Sequence, residues 1–215
     1  MAKLTAVLTG DLVGSTGVET GRVDRSMEEI ASAAARLIPA SRFTRYRGDG
    51  WQMFLPEPHR FLEAAIYLNA VLKSDPASLP TRISIGLGGA DNLGGNSLAG
   101  ASGTAFINSG RALDTMVAGR TLVLSGEATN KIQQSTLFFV EDRIQHWSRE
   151  QAEVIAMKLT PNPRVPDSWP TQDEMSLALG ITRQAVGSRL KAAGWALLLN
   201  AYLAFQDHFE VAPDA

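Results

Sequence analysis

Two acidic residues, Asp11 and Asp49, lie in sequence contexts that suit a metal ion and a phosphate group. Asp11 comes just past an apolar run, Leu4–Leu8, and the small residues Gly14-Ser15-Thr16 follow it at once. Small residues allow successive backbone N–H groups to approach phosphate oxygens closely. Mg²⁺ binds few protein carboxylates and completes its octahedron with water and substrate phosphates. The two acids and the loop therefore predict a site for a metal-bound triphosphate.

The second acid lies between two strand-like runs, Phe43–Arg47 and Trp51–Leu55. The D-G step between these runs is a strong hairpin signal. Asp49 is therefore expected at the tip of a hairpin, and Asp11 at the end of a first strand. If those strands are neighbours in one sheet, both carboxylates project from the same edge. Either acid alone is more often a turn or capping residue, so the prediction depends on the pair.

Composition excludes several other kinds of function. The chain has 215 residues, 45% of them hydrophobic, and a net charge of −2, so no large field attracts nucleic acid or anionic membranes non-specifically. The absence of cysteine excludes disulfides, zinc-thiolate sites and thiol catalysis. No apolar stretch is long enough to span a bilayer, and the first residues do not resemble a signal peptide. We expect a soluble, cytoplasmic protein with no membrane partner.

Apolar periodicity divides the chain into a mixed part and a helical tail. Residues 1–160 alternate strand-like and helix-like patterns, which predicts an α+β domain. Residues 161–170 hold four of the ten prolines and predict a linker, and residues 171–215 predict a small all-helical module. Predicted strands cover residues 4–9, 43–47, 51–55, 81–89, 121–125 and 137–140, and predicted helices cover residues 22–38, 59–73, 104–118 and 143–158.

Four segments follow in order the motifs of class III nucleotidyl cyclase domains, which the chain resembles over residues 4–125: LTGDLVGST, RYRGDGWQMFL, TRISIGLGG and GTAFINSGRALD. The resemblance implies a ferredoxin-like βαββαβ sheet and a homodimer that shares its nucleotide site. It also implies that Asp11 and Asp49 bind Mg²⁺ or Mn²⁺, one ion activating the ribose 3′-hydroxyl and the other holding the triphosphate. The residues implied to contact the nucleotide or its phosphates are Leu12, Val13, Gly14, Ser15, Thr16, Arg45, Gly48 and Arg82.

The resemblance fails at the pair of residues that stabilises the transition state. Active members carry Asn and Arg four residues apart on one helix, whereas Asn108 and Arg111 are three apart here, so both cannot be in register. Loss of one such donor costs roughly 10²–10³ in rate. We therefore expect nucleotide binding with impaired or absent cyclisation. The alternative is an active nucleotidyl cyclase that uses Asn108 and Arg111 as catalytic residues and releases a cyclic nucleotide and pyrophosphate.

The residues that would select the base also depart from the adenylate type. Arg45 stands where that type commonly has lysine, and Arg is not a neutral replacement because it is a planar fork of donors. No acid occurs at residues 100–102, where a second purine-reading residue is often found. ATP is thus the default ligand, and another nucleoside triphosphate remains open. We expect Trp51 to pack in the core or at a dimer interface rather than against a base.

The tail at residues 171–195 has the pattern of a helix-turn-helix. Thr171 and Glu174 have capping-box spacing, and Gly180 is the predicted turn. A cyclase-like domain followed by such a tail also resembles the SatD-like bacterial proteins. The predicted outer face of the second helix, which would enter a major groove, consists of Arg183, Gln184, Ser188, Arg189 and Lys191.

The charge of the tail favours protein contacts over DNA. From residue 161 onwards, four basic residues stand against six acidic ones, so few phosphates can be neutralised. The following helix carries an apolar stripe at Leu198, Tyr202 and Phe205, which predicts dimerisation or docking onto the cyclase-like domain. DNA is a possible partner that we do not favour. A nucleotide-sensing DNA-binding regulator is the corresponding alternative function.

Overall fold

The computed structural model describes residues 3–46, 48–95, 97–161 and 168–210. Residues 162–167 of the predicted linker and residues 211–215 of the predicted helical module lie outside this part, as does Arg47. The strands are β1 Leu4–Leu12, β2 Arg42–Tyr46, β3 Gly50–Leu55, β4 Thr81–Gly89 and β5 Leu122–Ser125. The helices are α1 Thr20–Leu37, α2 Phe61–Ser74, α3 Thr104–Asp114, α4 Lys131–Gln145, α5 Arg149–Leu159, α6 Gln172–Leu179, α7 Arg183–Ala193 and α8 Trp195–Glu210.

The strands form one sheet in the order β2-β3-β1-β4-β5. The central strand β1 pairs antiparallel with both β3 and β4, whereas β5 runs parallel to β4. Since α1 follows β1 and α2 follows β3, the chain takes the predicted βαββαβ path. The predicted α+β fold class is confirmed, with β5 as an additional edge strand.

Both faces of the sheet are covered, which explains why β1 is apolar along most of its length. Ala6 and Leu8 point to the face that packs against α1 and α2, called the first face here. Val7 points to the second face, where α3 lies. There the rings of Phe54 and Phe106 stack with their centroids 6.3 Å apart.

Two glycines of β4 allow α3 to lie directly on the strand. A Cβ at Gly86 would come within 2.9 Å of the Ser109 Cα, and a Cβ at Gly88 within 2.7 Å of the Ala105 backbone nitrogen. A close-packed interior has no room for a side chain at such separations. Glycine at these two positions therefore sets how closely α3 approaches the sheet.

Residues 137–140, predicted as a strand, belong to helix α4, so that prediction was wrong. Asn130 caps α4 and forms a reciprocal capping box with Gln133. Leu137 and Val140 are buried while the two phenylalanines between them are exposed, which is a helical pattern of burial. A short apolar run has no period that separates strand from helix, and the capping signal upstream decides between them.

Other predicted elements differ in their bounds. The helix predicted over residues 143–158 is two helices, the end of α4 and then α5. Ser148 lies between them and caps α5. The helix predicted to reach residue 118 ends at Asp114. Strand β1 continues past residue 9 to Leu12, so Asp11 lies inside the ladder rather than beyond it.

The C-terminal helices have the predicted local signals. The Thr171 hydroxyl and the Glu174 carboxylate form the expected capping box at the start of α6. Gly180 ends α6 in the left-handed conformation, and the Thr182 hydroxyl caps α7. None of the helices in the described ranges has the length and hydropathy needed to cross a membrane.

Helix α8 packs against the sheet-bearing part of the same chain. The rings of Phe205 and Phe209 contact the Phe61 ring edge-to-face, with centroids 5.2 and 5.7 Å away. The indole N–H of Trp147 donates to the Ala193 carbonyl at 2.9 Å and joins α7 to the same core. The apolar stripe of the tail is therefore used for docking within the chain.

We predict that Gly86→Ala destabilises the protein by about 1–3 kcal/mol, because the added methyl group overlaps the backbone of α3. The measurement is the midpoint of urea unfolding. Gly110→Ala is the matched control: it lies in α3 itself, and a Cβ there meets no atom within 4 Å. The control should be neutral or stabilising, since alanine favours the helix. Equal effects of the two substitutions would contradict the close-approach argument.

Candidate functional site

Asp11 lies on the second face of the sheet, in a row that crosses four strands. Its direct neighbours are Gly50 on β3 and Arg82 on β4, and Tyr46 on β2 pairs in turn with Gly50. Because directly opposed residues of paired strands point to the same face, these side chains share one strip of surface. The row lies at the edge of the sheet where β1 ends.

The Arg82 guanidinium binds both oxygens of the Asp11 carboxylate. Its Nε donates to Oδ1 at 2.8 Å, and its Nη2 donates to Oδ2. The pair is partly exposed, with 36% of the Arg82 side chain and 28% of the Asp11 side chain accessible. The pKa of Arg82 is raised, chiefly by its hydrogen bond to Asp11 and further by the charges of Asp11 and Asp49. Burial acts in the opposite direction.

Asp49 reaches the same edge through the hairpin turn between β2 and β3. The Leu12 N–H donates to the Asp49 carbonyl at 3.1 Å, which ties the turn to the end of β1. The Ser15 hydroxyl donates to the Asp49 carboxylate. Asp49 directly precedes Gly50, the residue that pairs with Asp11, so the two acids lie at the same end of the sheet. Their predicted roles as metal ligands stay a prediction.

The predicted phosphate loop, residues 12–16, is only partly available to a ligand. The Leu12 N–H is bound to Asp49, and the Val13 N–H donates to the Pro80 carbonyl at 2.7 Å. Both groups are used because β1 continues to Leu12. Within the described part of the chain, the N–H groups of Gly14, Ser15 and Thr16 have no acceptor.

Arg45 does not join the acids. Strand alternation turns its side chain to the first face, where Nη1 donates to the Asp24 carboxylate of α1 at 2.7 Å. Its Nε donates to the Gly48 carbonyl at 2.6 Å. Arg45 and Gly48, which were both predicted to contact the nucleotide, are therefore hydrogen-bonded to each other. The position of Arg45 in the strand, rather than its residue type, keeps it from Asp11.

The structure also keeps Asn108 and Arg111 apart from the acids. The Asn108 amide donates to the Leu87 carbonyl at 2.8 Å. Leu87 lies on β4 just past Gly86, the last residue of that strand paired with β5. Leu87 is five residues along β4 from Arg82, a separation of roughly 16 Å. Arg111 is exposed on the outer surface of α3. Within one chain, the predicted catalytic pair therefore does not face Asp11.

Tyr46 is a candidate ligand contact that sequence reasoning missed. A Cβ on Gly50 would lie 3.2–3.3 Å from atoms of the Tyr46 ring, so the ring covers this glycine next to Asp11. The hairpin register was the available signal, because it pairs Tyr46 with Gly50. Trp51, by contrast, is fully buried, and its indole N–H donates to the Thr81 hydroxyl at 3.0 Å. Its predicted packing role is confirmed.

The oxygen donors at this edge suit a hard divalent cation. They are the carboxylates of Asp11 and Asp49 and the hydroxyl of Ser15, which is the ligand chemistry of Mg²⁺ and Mn²⁺ when phosphate oxygens complete the shell. The described residues contain no group of three or more His, Asp or Glu side chains that could hold a metal alone. A metal therefore fits this edge together with a phosphate ligand, once Asp11 is released from Arg82.

The outer face of α7 has little free positive charge. The Arg183 guanidinium lies 3.5 Å from the Asp173 carboxylate, and the Arg189 guanidinium lies 3.3 Å from the Glu153 carboxylate. Such contacts offset the charge that DNA phosphates would require. The helix-turn-helix and its DNA contact stay predictions that this surface does not favour.

Comparison with known proteins shows only a weak similarity, and only to solved structures. No protein-family model matches the sequence, and no curated protein is significantly similar to it. Two solved structures of a bacterial light-regulated adenylyl cyclase are similar at 15% and 13% identity, with TM-scores of 0.38 and 0.34. Each comparison covers 58% of this chain and 43% of the other, so the chain spans less than half of their length. At these scores the likeness assigns no activity to this chain.

We predict that Asn108→Ala lowers the free energy of unfolding by about 1 kcal/mol, because the Leu87 carbonyl loses its donor. The measurement is chemical denaturation followed by circular dichroism. Arg111→Ala is the control on the same helix, and as an exposed substitution it should stay within about 0.5 kcal/mol of wild type. Unchanged stability of the Asn108 variant would show that this amide does not support the sheet.

Proposed function

We propose that this protein binds a nucleoside triphosphate, with ATP as the default, together with Mg²⁺ or Mn²⁺ at the edge formed by Asp11 and Asp49. The proposal includes a cyclase-like homodimer in the cytoplasm whose cyclisation is impaired or absent. The single observation that supports the binding site is that the Asp11–Arg82 pair and Asp49 lie at the same end of the sheet, beside the backbone N–H groups of residues 14–16.

Each part of this edge has a chemical task in the proposal. The two carboxylates supply oxygen ligands to a divalent cation, which when bound neutralises phosphate charge and orients the triphosphate. The N–H groups of Gly14, Ser15 and Thr16 donate to phosphate oxygens, as successive backbone donors do in anion-binding loops. Arg82 supplies a fork of donors that matches a phosphate group.

The impaired cyclisation follows from the position of α3. Ring closure needs donors placed at the charge that develops in the transition state. Asn108 and Arg111 are three residues apart rather than four, and the Asn108 amide donates to the β4 backbone, so the pair is not in the register that would place both donors at one reacting group. Nucleotide binding can thus persist without cyclisation, because the acids proposed to bind the metal and the donors needed for ring closure lie on different elements.

Isothermal titration calorimetry with ATP, in Mg²⁺ and in EDTA, tests the binding site. Asp49→Asn should weaken the Mg²⁺-dependent binding by at least about tenfold, or 1.4 kcal/mol, because an amide is a poorer ligand while asparagine still suits the turn. Asp142→Asn is the matched control, since this exposed acid lies on α4. Mg²⁺-dependent binding that survives Asp49→Asn would refute the assignment of the site.

Incubation with each nucleoside triphosphate and Mn²⁺ tests the chemistry. We expect no cyclic nucleotide above the enzyme-free blank, because each missing transition-state donor costs about 10²–10³ in rate. Cyclic product and pyrophosphate would be separated by chromatography. Product formation that Asp49→Asn abolishes would instead establish the alternative, an active nucleotidyl cyclase.

A further inference from the structure

The Asp11 carboxylate is held by a donor that can be exchanged. Arg82 is its one hydrogen-bond donor among the described residues, and both groups are partly exposed. Glu141 shows the contrasting case of a structural acid. It is buried and accepts from the backbone N–H of Thr121 and of Leu122 as well as from Arg120. Backbone donors fix a carboxylate permanently, whereas a single side chain on a neighbouring strand can leave.

Arg82 engages part of what a cation at Asp11 would use. The guanidinium donates to both carboxylate oxygens, and about two of the four lone-pair sites are then taken and the negative charge of the carboxylate is offset while the pair is intact. The ion would also bring positive charge next to the Arg82 guanidinium, which like-charge repulsion disfavours. Metal and Arg82 therefore compete for the charge of the same carboxylate.

We propose that Arg82 competes with the metal for Asp11, and that a polyphosphate, by taking the Arg82 guanidinium, frees Asp11 for the metal. This inference rests on the proposed function and adds the order of events at that site. The protein alone holds metal weakly, the nucleoside triphosphate draws Arg82 from the carboxylate, and metal and nucleotide then bind with positive coupling.

The charges at the edge support this exchange. Two carboxylates and one guanidinium leave one net negative charge, which attracts a divalent ion only weakly. A triphosphate offers the guanidinium more negative charge and the same forked geometry as a carboxylate. Arg82 is a long side chain near the start of β4, on the same face of the sheet as Asp11. The Ser15 hydroxyl donates to Asp49, the other acid of the site.

Titration of Mn²⁺ without nucleotide, followed by the electron paramagnetic resonance signal of the free ion, tests the competition. Arg82→Gln should bind Mn²⁺ more tightly than wild type, by a factor within the roughly 5–150-fold range of coupled sites. Arg82→Lys should lie between them because it keeps the charge but not the fork. Arg25→Gln, which breaks the separate Arg25–Asp75 pair of 2.6 Å, is the matched control and should leave Mn²⁺ affinity unchanged.

Three further measurements decide the outcome. Adding Asp11→Asn to Arg82→Gln should abolish the gain in Mn²⁺ affinity, and the Arg82→Gln protein should bind ATP more weakly than wild type. Thermal melting checks that the variants are folded, and Arg82→Lys serves if Arg82→Gln is not. Unchanged or weaker Mn²⁺ binding by Arg82→Gln, with Mg²⁺-dependent ATP binding intact in wild type, would overturn this inference alone. No ATP binding by wild type and no Mn²⁺ binding by any variant would overturn the proposed function with it.

Discussion

The pairing of β1 with both β3 and β4 is the constraint on which the candidate site depends. It places Asp11 opposite Gly50 on one side and opposite Arg82 on the other. The same ladder fixes Asp49, because the turn that carries it is bonded to Leu12 at the end of β1. Since strand side chains alternate with a period of two, a slip of one residue would turn Asp11 into the apolar first face.

The packing that stabilises the second face also determines what the site lacks. Gly86 and Gly88 let α3 lie on β4, and this close approach brings Asn108 to a backbone carbonyl of the strand. An amide used in this way supports the sheet. The packing of α3 on the sheet and the position of Asn108 therefore have the same structural origin.

The helical tail and the sheet share one hydrophobic core. Phe205 and Phe209 of α8 enclose the Phe61 ring at the start of α2, so the apolar stripe is covered within the chain. Helices α2 and α8 are thus in direct side-chain contact. The basic residues of α7 are partly offset by acids of the same chain, so what the tail contributes physically is packing rather than positive charge.

The sequence by itself determined the fold class, the capping boxes and the hairpin at Asp49, because periodicity, capping and turn chemistry are local signals. It did not determine that residues 137–140 are helical, since a short apolar run has no decisive period. Only the tertiary structure decided that Arg82 binds Asp11, that Arg45 faces Asp24 and that Asn108 bonds to β4. Those outcomes depend on strand register and on which residues, distant in sequence, lie next to each side chain in the fold. Neither can be read from the neighbouring residues.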